Sequence, residues 1–474
     1  MFKREGTIVT RVRTIIAPDH TKVSSGRAIF AGSRSYEPSR RWAVLGAALM
    51  VSFGSSSAQE VTYAADIEPI FYENCVQCHR AGSIAPMSLE TFEQARRYAS
   101  RIKFRVENRI MPPWGLNPHA GIQDYKNNRD LTEVERQTIV EWVDAGTPPG
   151  DVDGIPPRPD FPDEDFFWYL GDDLGEPDLV LDGPHVARTA AGPDEWTDVI
   201  IPTGLTEERW IRAVEIRPSN EESRTVIHHA LASLVQDEPG VVGVPASVSD
   251  RVRGRGLLQN YAAGAGGRVF KPDAGKLMLP GASIGWEIHT TAKGAEVEDA
   301  SVTVGLWFHD SPPEFRTILT TYTPRNANGQ LDIPPGRIAV HQGTWVMPGP
   351  VRLESFQPHM HMRGKAMMTE VIYPSGQREV LTFVDNFQWD FQTTYIYEDD
   401  VAPLLPKGTV LLVTSWHDNT AENPNNPDAN QWIGWGARKV DEMSIAWFDV
   451  THLEQDYFEE LVAERERRVA AGGS

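Results

Sequence analysis

The stretch Val302-Thr303-Val304-Gly305-Leu306-Trp307-Phe308 decides the fold class of most of this chain. Bulky apolar side chains recur at every second position, which is the period of a β-strand with a buried face. Residues 409–414 form a similar apolar run. From about residue 176 onward, such runs are separated by Pro, Gly, Asn and Asp turns. This pattern predicts antiparallel β-sandwiches or jelly rolls rather than βαβ units.

The chain has 474 residues, which is more than one hydrophobic core usually serves. Helical apolar spacing predicts a small all-α domain over residues 59–150, and residues 151–175, which begin with a Pro-, Asp- and Gly-rich stretch, are predicted to be a linker. Residues 176–335 and 336–474 are each long enough for one β-sandwich, and a charged helix ends the second. We therefore expect a multidomain protein with one all-α domain and two tandem all-β sandwiches.

Residues 1–58 have the features of an export signal behind a basic leader. Arg40 and Arg41 precede an apolar run over residues 42–53, and small residues follow up to Ala58. The apolar run is too short for a confident membrane span, so we expect no integral membrane protein. The sequence predicts a periplasmic or otherwise exported protein. Its net charge of −21 disfavours nucleic acid as a partner.

The only two cysteines fall in the pentapeptide Cys75-Val76-Gln77-Cys78-His79. This is the attachment signature of c-type haem, in which Cys75 and Cys78 form thioethers and His79 binds the iron. A zinc site would need two further ligands at suitable spacing, and the chain has no second cysteine pair. The sequence therefore predicts one covalent haem c, a one-electron carrier, in the all-α domain.

Met111, in the motif Met111-Pro112-Pro113-Trp114, is the best candidate for the sixth iron ligand. It follows His79 beyond a predicted helix, and the two prolines restrict the backbone there. A thioether ligand raises the haem potential and suits electron transfer. Met87 and His119 are the alternatives, in which case Met111 only fills the core.

Histidines in the β region form a second pattern. Side chains at positions i and i+2 share one face of a strand, so His359 and His361 can reach the same metal while Met360 points away. The adjacent pair His228 and His229 needs a twist or bulge to converge, and His289 would complete a three-imidazole site. Imidazole and thioether ligands suit copper. We expect ordinary hydrogen bonds for the remaining histidines of this region: His185, His309, His341, His417 and His452.

Four segments carry a resemblance to a known family: residues 226–230, 286–294, 358–365 and 441–444. In combination they resemble the copper type II, ascorbate-dependent monooxygenases, the family of peptidylglycine α-hydroxylating and dopamine β-monooxygenase. The likeness is closest to exported bacterial members with an N-terminal cytochrome c. It implies a cytochrome c domain followed by two tandem eight-stranded jelly rolls, each binding one copper.

The resemblance also implies a role for each ligand. It assigns an electron-transferring copper to His228, His229 and His289, and an oxygen-activating copper to His359, His361 and Met443. Two departures stand out. The animal enzymes rely on disulfides, which this chain cannot form once haem takes both thiols. The haem also suggests that ascorbate is not the direct reductant. No ligand role follows for His417.

The implied activity is hydroxylation of a C–H bond of a small organic substrate with O2. Electrons would come from an external donor, a cytochrome or a small reductant, through the haem. Hydroxylation beside a heteroatom could lead on to N- or O-dealkylation. The alternative is a periplasmic haem and copper protein that transfers electrons or binds copper without oxygenase activity.

Overall fold

The computed structural model describes residues 60–81, 83, 85, 87–158, 168–236, 256–262, 267–326, 328–436 and 438–471. The predicted leader lies outside the described residues. Those residues belong to one compact unit. Among them, no helix combines the length and the apolar character needed to cross a membrane.

The amino-terminal part is helical, and two of its helices begin with a capping box. Thr91 with Gln94, and Thr132 with Glu135, exchange side-chain and backbone hydrogen bonds at the two helix starts. Buried aromatic and aliphatic side chains, Trp142 among them, form a core shared by these helices. The segment contains a π-helical turn (Tyr63–Ile67), α1 (Glu68–Asn74), α2 (Phe92–Glu107) and α3 (Glu133–Asp144).

The rest of the described chain is mainly β-structure. Helical elements there are a 3-10 turn (Val152–Gly154), α4 (Gly171–Leu174), α5 (Glu221–Val226) and α6 (Gln455–Ala470). The strands are β1 (Leu116–Gly121), β2 (Leu179–Asp182), β3 (Val186–Arg188), β4 (Glu195–Pro202), β5 (Arg209–Pro218), β6 (Ile227–Val235), β7 (Leu257–Ala262), β8 (Arg268–Val269), β9 (Ala274–Met278), β10 (Ser283–Thr290), β11 (Val297–Ala300), β12 (Val302–Phe308), β13 (Phe315–Tyr322), β14 (Ile338–Val346), β15 (Val351–His359), β16 (Gly364–Ile372), β17 (Arg378–Val384), β18 (Tyr395–Ile396), β19 (Leu404–Leu405), β20 (Val410–Asp418) and β21 (Ile445–His452).

The first sandwich packs the sheet β4-β10-β6-β7 against strands β2, β12, β5 and β9. Val302, Val304 and Leu306 of β12 lie in its core with no exposed surface, as their spacing predicts. The other face of β12 is covered as well, because Trp307 packs edge-on against Trp168. The prediction of all-β sandwiches in this part of the chain is confirmed.

The second sandwich packs the sheet β1-β17-β16-β20-β14 against β13, β21, β15 and β18. Strand β13 pairs with β21 and, in parallel, with β9, so one sheet continues from the first sandwich into the second. Residues 315–322 therefore contribute to the second sandwich, although the predicted boundary lies at residue 335. Residues 116–121, within the predicted all-α segment, also join this sandwich by pairing with β17.

Candidate metal centres

A cleft lies between β7 of the first sandwich and β15 and β21 of the second, and residues of all three strands line it. On β21, Ala446, Phe448 and Val450 belong to the second core, whereas Ile445 and Trp447 belong to a different apolar cluster. The alternation follows from the two-residue period of a strand. That second cluster also contains Leu231 and Leu257 of the first sandwich together with Met443. His359 packs on Trp447, which lines this cleft, and His229 of the first group lies close enough to His359 for their charges to interact.

A β-bulge brings His228 and His229 together. His229 lies opposite His289 in the β6–β10 ladder, but the next pair joins Thr290 to Ile227. His228 is therefore the extra residue, and it is the second residue of β6, which follows directly after α5. From the sequence we expected a twist or bulge if the adjacent histidines were to converge, and the structure contains this bulge.

The three rings meet through their Nδ1 atoms. Nδ1 of His229 lies 3.4 Å from Nδ1 of His228 and 3.1 Å from Nδ1 of His289. One ligand nitrogen of each ring lies within 4.8 Å of the other two. A ring nitrogen has either one proton or one lone pair, so only one of the two short contacts can be a hydrogen bond. Two nitrogens bound at about 2.0 Å to one ion lie roughly 3.3 Å apart, and this spacing fits the cluster.

The protonation state of the cluster also suits a metal. Burial and the neighbouring imidazoles lower the pKa of His229 well below its ordinary value. Burial, together with His228, lowers the pKa of His289 to about 4. The rings are therefore neutral at neutral pH, which is the form that binds metal ions.

The surroundings of His289 hold its ring in place. The indole of Trp196 stacks on it with a centroid distance of 4.2 Å. Oδ2 of Asp194 lies 3.3 Å from His289 Nε2, outside hydrogen-bond geometry, and accepts a 2.8 Å hydrogen bond from Lys439. Burial raises the pKa of Asp194, but Lys439 and His289 outweigh this and the net shift is downward. Lys439 belongs to the second sandwich, so this ion pair bridges the cleft.

His359 and His361 lie at the end of β15. Met360, between them, is fully buried in the second core and so points away, as predicted. The two imidazole centroids are 5.3 Å apart with nearly perpendicular planes. His359 also packs on the indole of Trp447 at 4.9 Å.

Each of these two rings uses Nδ1 for a hydrogen bond to an oxygen. Nδ1 of His359 donates to Oε1 of Gln392 at 2.8 Å, and Nδ1 of His361 donates to the carbonyl of Asp441 at 3.2 Å. These acceptors assign the proton to Nδ1, and the lone pair of each ring therefore lies on Nε2. Hydrogen bonds of this kind commonly orient histidines that ligate a metal.

A buried carboxyl group supports the backbone of this site. Glu442 accepts hydrogen bonds from the backbone nitrogens of His361 at 2.9 Å and Arg363 at 2.6 Å. Burial raises the pKa of Glu442 to about 8, although these donors oppose the shift. The guanidinium of Arg363 donates in turn to the carbonyl of Val440. Sequence reasoning missed Glu442, Arg363 and Gln392, because their roles depend on contacts between distant segments.

His417, which the sequence left without a role, lies under the same site. Its Nε2 donates to the carbonyl of Met443 at 3.0 Å, and burial lowers its pKa to about 3. Met443 itself is buried in the cleft cluster with Trp447. His417 thus holds the backbone carbonyl of Met443, while Glu442 holds the backbone beside His361. The role of Met443 as a thioether ligand stays a prediction.

The haem motif follows α1. Nδ1 of His79 donates to the carbonyl of Met87 at 3.1 Å, which leaves the lone pair of the ring on Nε2. Burial lowers the pKa of His79, and the ring is neutral. Cys75 and Cys78 are half-buried and form no disulfide. This arrangement fits a histidine that binds iron beside two thiols.

The three candidates for the sixth iron ligand lie in different surroundings. Met111 is half-buried between α2 and β1, Met87 packs against the helical core, and His119 is exposed on β1. The assignment of Met111 stays a prediction. Several of the remaining histidines hydrogen-bond to ordinary acceptors, His309 to the carbonyl of Ala274, for example.

Comparisons with known proteins add little to this description. No family model and no curated protein matches the chain. Among solved structures, an infectious bursal disease virus VP2 subviral particle is 10% identical, covering 58% of this chain and 73% of that one, at a TM-score of 0.16. The Gx strain of this virus is 9% identical, covering 59% and 74%, at 0.19. Bacillus subtilis oxalate decarboxylase is 9% identical, covering 66% and 95%, at 0.13. TM-scores this low support no inference about fold or function.

Proposed function

We propose that this protein is an exported copper-dependent monooxygenase, which hydroxylates a C–H bond of a small organic substrate with O2 and receives electrons through a covalent haem. The observation that carries the proposal is the convergence of two differently built imidazole groups on one cleft. His228, His229 and His289 form one group, and His359 and His361 form the other. Without a metal, a hydrogen bond accounts for only one of the two close Nδ1 contacts of His229.

The chain offers a donor set for each group that the proposal requires. Copper bound at the cleft would supply oxygen activation and electron storage, and haem would supply one-electron transfer. The donor sets are His228, His229 and His289 for one copper, His359, His361 and Met443 for the other, and Cys75, Cys78, His79 and Met111 for the haem. All are soft or nitrogenous ligands, which copper and haem iron accept.

The protein's own residues would orient ligands and exclude water. Gln392 and the Asp441 carbonyl hold the protons of His359 and His361 on Nδ1. Leu257 and Trp447 line the cleft between the two groups with apolar surface. A water-excluding site of this kind protects reactive intermediates and strengthens electrostatic interactions.

The haem-bearing segment is joined to the second sandwich by extensive contacts. Trp114 is buried there with its ring 4.8 Å from that of Tyr395. Arg109 pairs with Asp385, and β1 adds to the sheet through β17. A fixed attachment of this kind supports electron delivery within one molecule rather than by a tethered, freely moving haem domain.

The variant Met443→Ile tests the proposal. It should leave the haem spectrum intact and abolish incorporation of 18O from 18O2 into a panel of small organic compounds. Met367→Ile, a matched change at a buried methionine in the second core, should keep the activity. Wild-type turnover in Met443→Ile would refute the assignment. Reoxidation of the reduced wild type by O2 without any oxygenated product would favour the electron-transfer alternative.

A further inference from the structure

A cavity of about 100 Å³ lies between the two sandwiches and borders the His359 site. Gln392, which holds the ring of His359, is one of its lining residues, and Trp447, on which the same ring packs, is another. Leu257, Leu319 and Phe391 give it apolar wall area. A group bound in this cavity would lie beside the predicted oxygen-activating centre.

The charge of the cavity is positive. Arg129 and Arg268 line it, and Asp449 is the single acidic residue among its described lining residues. That carboxylate is already shared between two cations, because Arg268 pairs with one oxygen and Lys276 Nζ lies 2.6 Å from the other. Asp449 is nearly fully buried and its pKa is lowered, because these cations outweigh the effect of burial. Among the described lining residues, two arginines therefore stand against one carboxylate.

Two buried polar atoms of the wall have no hydrogen-bond partner among the described residues. They are Nε1 of Trp447 and Oδ1 of Asn260. An indole N–H can only donate, and leaving it unpaired in the interior costs about 1–3 kcal/mol. A bound oxygen atom in the cavity would accept a hydrogen bond from the Trp447 indole, and a water or hydroxyl would donate one to Oδ1 of Asn260.

We propose that this cavity binds the carboxylate of a small organic acid, which is the substrate of the monooxygenase, against the guanidinium of Arg129 and beside Arg268. Guanidinium groups bind carboxylates through paired hydrogen bonds, and the apolar wall accommodates the hydrocarbon part. A cavity of roughly 150 Å³ can hold benzene, so this one suits a carboxylate with a few carbon atoms. The assignment of the acid as substrate rests on the proposed function.

Arg129 also connects the cavity with the haem motif. It follows β1 on the segment that carries the haem motif, lines the cavity, and lies close enough to Cys78 for its charge to be felt there. A carboxylate bound to Arg129 would neutralise a positive charge near the haem and stabilise the oxidised form. Substrate binding should therefore lower the reduction potential of the haem, which can be measured without any turnover.

Calorimetry on the full haem- and copper-loaded protein tests the cavity. Propionate and butyrate should bind at least about tenfold more tightly than propionamide and butyramide, because only the acids offer a charge to the guanidinium. Arg129→Gln should weaken acid binding by about the same factor and abolish the shift in haem potential. Arg209→Gln, at an exposed arginine paired with Glu207, is the control and should change neither. Thermal unfolding of both variants checks that they fold.

Three results would overturn the carboxylate assignment: equal binding of acids and amides, unchanged binding in Arg129→Gln, or tighter binding of inorganic phosphate than of either acid. The binding data also separate the two proposals. Acids that bind at Arg129 but give no oxygenated product would refute the monooxygenase and leave the cavity assignment intact. If the protein oxygenates uncharged compounds efficiently but no acids, the cavity assignment is refuted and the monooxygenase proposal stands.

Discussion

The two imidazole groups of the cleft differ in how their rings are held. In the group His228, His229 and His289, the Nδ1 atoms approach one another and a β-bulge supplies the convergence. His359 and His361 instead direct Nδ1 at oxygen acceptors of the protein. In the first group all three rings direct Nδ1 toward one common point, and such a set of ligands suits a centre that only gains and loses an electron. The second has two imidazoles on a braced backbone, which suits a centre that must admit another ligand.

Removing one imidazole from each group should give the largest effects. His229→Ala and His359→Ala should each lower the copper content from two to one per chain and reduce product formation by more than about 100-fold. The comparison requires that each variant loses a different copper, which electron paramagnetic resonance of the remaining Cu(II) can show. Loss of both coppers in either single variant would indicate one shared site and contradict the separation into two groups.

Glu442→Ala should remove the two hydrogen bonds that hold the backbone beside His361, and it should leave the first imidazole group unchanged. It leaves the buried nitrogens of His361 and Arg363 without their acceptor, so the free energy of unfolding should fall by about 3 kcal/mol. Glu370→Ala is the control, because Glu370 bonds the guanidinium of the more exposed Arg378 and should cost no more than about 1 kcal/mol. Denaturant unfolding measures both. A smaller loss of unfolding free energy in Glu442→Ala than in the control would show that these two hydrogen bonds do not stabilise the site.

Gln392→Leu should weaken the second copper without touching the first. It removes the oxygen that accepts from His359 Nδ1, and the loss of such a partner costs about 10–100-fold in metal affinity. Gln392→Glu keeps an acceptor oxygen at this position and should retain most of the affinity. Competition with a Cu(I) chelator measures both sites. Equal weakening by the two variants would mean that Gln392 acts through packing and not through this hydrogen bond.

Asp194→Asn should have the smallest effect and should act on the first group. The carboxylate lies beside His289 Nε2 and pairs with Lys439, so its neutralisation should lower copper affinity there by up to about tenfold. Asp299→Asn is the control, because Asp299 contacts the exposed His185 away from the cleft. If Asp194→Asn alters the second copper instead, the ion pair with Lys439 would matter more than its contact with His289.

The sequence predicted the parts of this molecule that depend on local periodicity. The alternation in β12 predicted its buried face, and the i, i+2 spacing of His359 and His361 predicted that Met360 points into the core. The need for a distortion at His228 also followed from the geometry of a strand. Each of these depends on neighbours along the chain.

The supporting residues could not be predicted in this way. Gln392 reaches His359 from a segment 33 residues away, and Glu442 reaches the backbone of His361 across 81 residues. The pairing of β1 with β17 joins residues separated by more than half of the chain. A buried glutamate or glutamine carries no local signal for such contacts, because its partners are decided by tertiary packing.

Metal analysis of protein expressed with export to the periplasm decides whether the chain holds a haem and two separate copper centres. After loading with Cu(I) and dialysis, we expect one haem iron and two coppers per chain, with one copper lost in His229→Ala and one in His359→Ala. A wild-type protein that retains the haem but holds no copper, or only one, would refute the two copper sites.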